Sequence, residues 1–332
     1  MEKIYRRTKL RLMNKLPLVS IIIPFYNVAP YIKRCLQCVD NQTYQNIEVL
    51  LINDKTPDNS QEIATLFINQ ESKNPNQYKV IEHIENKGLS GARNTGMQHA
   101  VGDYIFFIDS DDYIDTQCIE NHVKSIKNQF DISIGSHQRI THSGEVVYDE
   151  TLKEDIETNN VIDFFTQFPF YSSYPMAWNK LYKREFLLKH KMSFTEKLLS
   201  EDIMWIYELY AKNPKIVTSK NALYYYIVDN QNSIMNNIKQ KHLEDYLRIV
   251  QKMNQICDNT SQPLLNYLET YKNDFIIDVC KNNKANTLVD EDFKKNFEKK
   301  IRKNINYNYF FLWKTKNIRQ LKKMFKFQFN IT

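Results

Sequence analysis

Four short, mostly apolar runs constrain this fold more than any other feature: Val19–Ile23, Glu48–Ile52, Lys79–Ile84 and Asp103–Ile108. Helical stretches separate them at Tyr31–Asn41, Ser60–Gln70 and Gly91–Ala100. Continuous apolarity, rather than strict alternation, marks strands covered on both faces, and strands separated by helices pair in parallel. Right-handed crossovers then bring the carboxyl ends of the strands to one edge of the sheet. Open α/β sheets bind their ligands along that edge. Here it is expected to carry Pro24-Phe25-Tyr26-Asn27, Asn53-Asp54, Glu85-Asn86-Lys87 and Asp109-Ser110-Asp111-Asp112.

The second half is less regular. Asp131–Ser136, Glu145–Tyr148 and Ala222–Val228 read as strands, Val161–Phe168 and Leu199–Ala211 as helices. From about Ser233 onward the pattern is mostly helical and polar, with no internal repeat. A chain of 332 residues suits one large α/β domain with a smaller region, or two domains.

The formal net charge of +6 is concentrated at the ends. The N-terminal arm carries Lys3, Arg6, Arg7, Lys9, Arg11 and Lys15. Lys299–Thr332 is rich in Lys and Arg, has no acidic residue, and interleaves Tyr307, Trp313, Phe325 and other aromatics. Such a tail suits an anionic membrane surface or, equally, a helical cap with a solvated basic face. No nucleic-acid module is recognisable, so nucleic acid is not an expected partner. No apolar run reaches membrane-spanning length, and the first 15 residues lack the apolar centre of a signal peptide, so a cytoplasmic location is expected. Five scattered cysteines do not form a disulfide framework. Cys35-x-x-Cys38 lies in an expected helix with no second ligand pair nearby, so buried packing is expected.

Four segments carry candidate chemistry. In Asp109-Ser110-Asp111-Asp112 the carboxylates repel one another unless a cation joins them, and hard ions such as Mg²⁺ and Mn²⁺ take such oxygens. The bland reading is a solvated acidic turn. Asp54 can accept from a base or ribose, or it can be an Asx-turn residue before Thr56-Pro57-Asp58. Asn86–Gly96 offers glycines for close backbone approach, with Lys87 and Arg93 for phosphate or base contacts. Otherwise it is a loop with helix-capping glycines. Ser200-Glu201-Asp202 opens a helix. Its acids favour the dipole, with Ser200 as N-cap, or Asp202 is a general base.

Several of these segments resemble family 2 glycosyltransferases, which have the GT-A nucleotide-diphospho-sugar transferase fold: Pro17-Leu18-Val19-Ser20-Ile21-Ile22-Ile23-Pro24-Phe25-Tyr26-Asn27, Gln42-Thr43-Tyr44, Asn46-Ile47-Glu48, Asn86-x-Gly88-Leu89-Ser90-x-Ala92-Arg93-Asn94 and Asp109-Ser110-Asp111-Asp112. The resemblance covers about Leu16–Asp115. It continues more faintly through Trp178-Asn179-Lys180-Leu181-Tyr182, Glu201-Asp202 and Tyr224-Tyr225-Tyr226. It implies an α/β fold with a Rossmann-like mixed sheet. The implied layout is a basic arm at 1–16, a catalytic domain at 17–230 (nucleotide-sugar half 17–115, acceptor half 116–230) and a helical C-terminal region at 231–332. It also implies that Asp54 contacts uracil, and that Pro24, Tyr26, Asn27, Lys87, Arg93, Asp109 and Ser110 surround the nucleotide. Asp109 and Asp111, with help from Asp112, would hold Mn²⁺ or Mg²⁺. Asp202 would be the base beside Glu201, and Trp178 and Lys180 would face the acceptor. Two stretches depart from the family pattern: Asn53-Asp54 stands where Asp-Asp is usual, and Ile227-Val228-Asp229-Asn230 where relatives carry Arg or His.

The implied reaction is inverting transfer from a UDP-sugar to a glycan or lipid-linked oligosaccharide hydroxyl during capsule, exopolysaccharide or O-antigen synthesis. A non-catalytic nucleotide-sugar or polysaccharide binder would keep the nucleotide edge and need no base. A nucleotidyltransferase would need a Gly-rich basic loop after the first strand. A processive synthase would need membrane helices and Gln-x-x-Arg-Trp. Neither of these last two patterns occurs.

Overall fold

The computed structural model describes residues 16–167, 175–230, 240–260, 262–285, 289–306 and the single positions 322, 324 and 326. The N-terminal arm at 1–15, and all of the aromatic tail from 307 except those three positions, lie outside the described residues.

The four runs fold as β1 (Val19–Phe25), β2 (Ile47–Asn53), β3 (Tyr78–Glu82) and β4 (Tyr104–Phe107). Between them lie α1 (Ile32–Asp40), α2 (Ser60–Gln70) and α3 (Gly88–His99). The strands pair in parallel, as expected, and the structure sets their order as β3-β2-β1-β4. The remainder supplies β5 (Tyr113–Ile114), α4 (Cys118–Ile126), β6 (Ile132–Ile140), β7 (Val146–Glu150), β8 (Glu157–Thr158), α5 (Val161–Gln167), β9 (Lys180–Lys183), α6 (Arg184–Lys189), α7 (Glu201–Ala211) and β10 (Ile216–Ile227). Helices α8 (Gln240–Asp258), α9 (Leu264–Ala285) and α10 (Glu291–Arg302) follow. The sheet runs β3-β2-β1-β4-β9-β6-β10-β5, with β7 added on β6 and β8 on β10.

The sheet is mixed, because β9 inserts antiparallel between β4 and β6. This strand has only four residues, too few to give an apolar run of its own in the sequence. Its reversed direction matters: Trp178-Asn179-Lys180 enter the sheet from the same edge that β4 leaves. The edge therefore receives carboxyl ends from β1, β2, β3, β4, β6 and β10, and the amino end of β9. The expected strand Ala222–Val228 begins six residues earlier, and β10 shifts register against β6 between Ser219 and Leu223.

Successive residues of one strand point to opposite faces. Val19, Ile21 and Ile23 join Val49, Leu51, Tyr104 and Phe106 under α1, α2 and α4. Ile22, Leu50, Ile52, Ile105 and Phe107 face the other way, into a larger core. There Trp205 of α7 stacks on Phe194 with centroids 4.1 Å apart and meets Phe107 edge-on at 6.0 Å. Helices α8, α9 and α10 contribute Leu243, Ile249, Met253, Leu268, Ile276 and Ile301 to that same core. The C-terminal helices thus bury one face of the sheet together with α7.

Gly96 shows how closely α3 approaches β1. A Cβ there would sit 2.3 Å from Ile22 Cγ2. Gly96→Ala is expected to destabilise the chain by about 1–3 kcal/mol through overpacking, read from urea unfolding. An unchanged midpoint would mean that α3 can shift at no cost.

Candidate active site

The nucleotide side of the edge is built on the turn after β2. Asn53, not Asp54, makes the turn bond: its Oδ1 accepts from Thr56 N at 2.8 Å. Asp58 then gathers Thr56 Oγ1, Ser60 Oγ and Ala29 N, and these bonds hold its carboxyl below the usual range. Asp54 is thereby released from turn duty. It is buried, and Oδ1 accepts from Lys87 N at 2.8 Å and lies 2.7 Å from His83 Nδ1. Asn86 Nδ2 donates to the Asp54 carbonyl at 3.1 Å. Pro24 is buried in β1 opposite Ile52, whereas Tyr26 and Lys87 are exposed at the rim. Asn27 takes a positive φ of 56° and donates its N–H to Thr56 Oγ1.

The acidic loop after β4 divides its carboxylates among different tasks. Asp109 Oδ1 accepts from Arg93 Nη2 at 2.8 Å. Asp111 Oδ2 accepts from Asn230 Nδ2 at 2.8 Å, and its carbonyl accepts from Arg34 Nη2 at 2.9 Å. Burial, then the neighbouring Asp109 charge, raises the Asp111 carboxyl. Asp112 points the other way and is fully buried. It accepts from Tyr224 Oη at 2.8 Å and from Ile227 N at 2.9 Å, both on β10. Two bonds and full burial make Asp112 an anchor between the loop and β10, which leaves Asp109 and Asp111 as the carboxylates open to a cation. Ser110 is also buried.

Arg93, a candidate nucleotide contact by resemblance, is buried at 0% exposure among carboxylates. Nη1 donates to Glu201 Oε1 at 2.8 Å and Asp202 Oδ1 at 2.5 Å, while Nη2 takes Asp109. Its side chain leaves the buried face of α3 and ties Asp109 of the acidic loop to the two acids of α7. A buried cation with three anions is favourable only as a complete, hydrogen-bonded set.

Glu201 and Asp202 open α7. Ser200 does not cap the helix: its φ is 60° and its side chain makes no capping bond. The acids are there for Arg93 rather than for the helix end. Asp202 Oδ2 also accepts from Ala177 N at 3.1 Å, just before Trp178. Burial raises Asp202, with Arg93 opposing and Asp109 adding to the rise. Burial and the Asp202 charge push Glu201 up to about 7. Lys180 is buried, donates to the Met176 carbonyl at 2.6 Å, and is pushed down to about 8 by burial, with Asp202 opposing. Trp178 is buried too, stacked on Tyr224 at 4.3 Å and Tyr226 at 5.5 Å. Both residues are thus buried, Lys180 within the influence of the Asp202 charge and Trp178 against the Tyr224 that holds Asp112.

Three contributors had gone unnoticed in the sequence. His83 follows β3 at the edge position equivalent to Asn53-Asp54, so the strand-end rule could have found it. Asn230 lies in the stretch where relatives carry Arg or His, and it binds Asp111 directly. His142, in the β6–β7 turn, pairs through Nδ1 with Asp229 Oδ1 at 2.5 Å and packs on Tyr31. That contact joins residues 87 apart and has no local signal. Among the described residues no group of three or more His, Cys, Asp or Glu is arranged to hold a metal, and no helix is long and apolar enough to cross a membrane.

Comparison with known proteins matches this arrangement. The model of "Glycosyl transferase family 2" matches residues 20–189. Glycosyltransferase GlyA of Streptococcus pneumoniae is 29% identical over 292 residues, covering 86% of this chain but 41% of that longer protein. The uncharacterized glycosyltransferase EpsJ of Bacillus subtilis is 29% identical over 316 residues, covering 88% of this chain and 85% of its own. Among solved structures, TarS 1–349 of S. aureus in complex with UDP-GlcNAc superposes with a TM-score of 0.71 at 18% identity, over 94% of this chain and 92% of that one. With the strand-end motifs in order on a GT-A sheet, and the family model spanning β1 to α6, the chain belongs to glycosyl transferase family 2.

Proposed function

We propose that this chain is an inverting glycosyltransferase. It moves a sugar from a UDP-sugar to a hydroxyl of a glycan or lipid-linked oligosaccharide in the assembly of a cell-surface polysaccharide. The observation that carries the reading is the Arg93 cluster. One buried guanidinium holds Asp109 of the donor loop and Asp202 of α7, and so sets a donor edge against a base. A non-catalytic binder would have no use for a raised carboxylate held in that place.

Asp109 and Asp111 suit a divalent cation. They are adjacent carboxylates whose mutual repulsion a cation would relieve, and Mg²⁺-like ions need one or two carboxylates besides substrate phosphates. The chemistry such a cation would supply is charge neutralisation at the leaving diphosphate. Asp54 and the Lys87 backbone orient the base. Asp202 accepts the acceptor hydroxyl's proton as that oxygen bonds to the anomeric carbon, and the bond from that carbon to the diphosphate breaks. Holding the two reactants in line supplies much of the acceleration. Lys299, Lys300 and Arg302 in the last turn of α10 begin the basic run that favours a lipid-linked acceptor on an anionic cytoplasmic membrane face.

Calorimetry tests the donor reading. UDP is expected to bind the wild type with Mn²⁺ and at least about tenfold more weakly without it, a difference that Asp111→Ala abolishes. Metal-independent UDP binding, or no binding at all, would remove the donor assignment.

A further inference from the structure

Where β3 ends, the chain turns inward and His83 becomes buried at 5% exposure between two elements. Its Nδ1 lies 2.7 Å from Asp54 Oδ1, and its Nε2 lies 2.9 Å from Thr95 Oγ1 on α3. A carboxylate oxygen can only accept, so Nδ1 carries a proton in either charge state of the ring. The Thr95 hydroxyl adapts to Nε2 as donor or acceptor. Lys87 N donates to the same Oδ1 at 2.8 Å. Two donors therefore converge on Oδ1 from different segments, one the end of β3 and the other the start of α3. Among the described residues both of Asp54's side-chain bonds fall on this oxygen, which leaves Oδ2 with its lone pairs for a ligand.

We infer that His83 is a positioning residue for nucleobase selection. By holding Asp54 Oδ1 from inside, it presents Oδ2 as a fixed acceptor toward the base. The ligand class follows from that polarity. A pyrimidine whose ring nitrogen carries a proton, as uracil does, donates to Oδ2. Cytosine presents a lone pair at the same atom and meets a carboxylate that has no proton to offer. Unmatched buried polar groups discriminate strongly. Without the histidine the carboxylate can rotate, and either oxygen can turn toward Lys87 or solvent. The selection then weakens even though Asp54 remains.

This inference rests on Asp54 being the base contact, and the experiment separates the two. Dissociation constants of UDP and CDP, both with Mn²⁺, are measured by calorimetry for the wild type, Asp54→Ala, His83→Phe, His83→Asn and Thr95→Val. The wild type is expected to prefer UDP. Asp54→Ala removes that preference. His83→Phe, which keeps the ring and loses the donor, reduces the UDP/CDP ratio by about tenfold or more. His83→Asn, whose amide can stand in for Nδ1–H, restores most of it. A role confined to tying β3 to α3 would weaken both nucleotides equally and leave the ratio alone. If His83→Phe does not fold, Thr95→Val carries the test, since it removes only the group that orients the ring; a reduced ratio supports the inference and an unchanged ratio overturns it. If Asp54→Ala abolishes the preference while a folded His83→Phe keeps it, the role of His83 is overturned and Asp54 stands. If the wild type or Asp54→Ala shows that Asp54 confers no preference, both fall.

Discussion

Arg93→Met is expected to destabilise the protein by about 3–5 kcal/mol, the cost of removing one partner from a buried charge set. Methionine fills much of the volume, so the loss is electrostatic rather than a cavity. Asp109, Glu201 and Asp202 would then face one another without a cation among them. Arg93→Lys keeps the charge but not the fork, and one ammonium cannot reproduce the guanidinium's fixed geometry. It is expected to fall between wild type and Arg93→Met. The deficit should depend on pH. Glu201 is raised to about 7 by burial and by Asp202, with Arg93 opposing. A carboxyl whose folded pKa is raised contributes stability that is full below its unfolded value and lost as pH rises through the folded one. Removing Arg93 raises Glu201 and Asp202 further, so the folded variant gains most from protonation and its deficit shrinks in acid. Urea unfolding at pH 5 and pH 8 reads both effects. A deficit that is equal at the two pH values would show that the three acids are not electrostatically coupled to Arg93.

The second large effect is on turnover. Asp202→Asn is expected to lower kcat by about 10²–10⁴-fold while UDP binding is retained, because general-base assistance is typically worth that much. Asparagine preserves the size of the side chain and can still accept from Ala177 N or Arg93 with its one oxygen. It cannot take the acceptor's proton. Glu201→Gln is the necessary comparison, since Glu201 shares the same guanidinium and sits more deeply. If Asp202 is the base, Glu201→Gln should cost far less in kcat. Single-turnover transfer separates the pair, and equal losses would mean that the cluster acts as a unit. Because burial raises Asp202, the acidic limb of the wild-type pH–rate profile should lie above the ordinary aspartate range.

The relation between this site and its sequence is uneven. The four parallel strands and their helices were legible because apolar runs and helical spacing are properties of the backbone period, which acts within a few residues; the order β3-β2-β1-β4 was not. The strand-end rule then put Asp54, Lys87 and the acidic loop on one edge, and the family resemblance attached roles to them. What each carboxylate does was not legible. Asp109, Asp111 and Asp112 are near neighbours in the chain. Yet one meets Arg93, one meets Asn230, and one is locked to β10 through partners 112 and 115 residues away.

By itself the sequence determined the parallel strands of the first half, the edge that gathers the candidate residues and the family to which those motifs belong. Only the tertiary structure decided that β9 runs backwards through the sheet, that Arg93 joins Asp109 to Asp202, and that Asn53 takes the turn so that Asp54 is released from it. The division has one physical cause. Periodicity and turn chemistry are local and survive in a string of letters. The charge state and task of a carboxylate depend on burial and on which donor the fold brings to it from a hundred residues away.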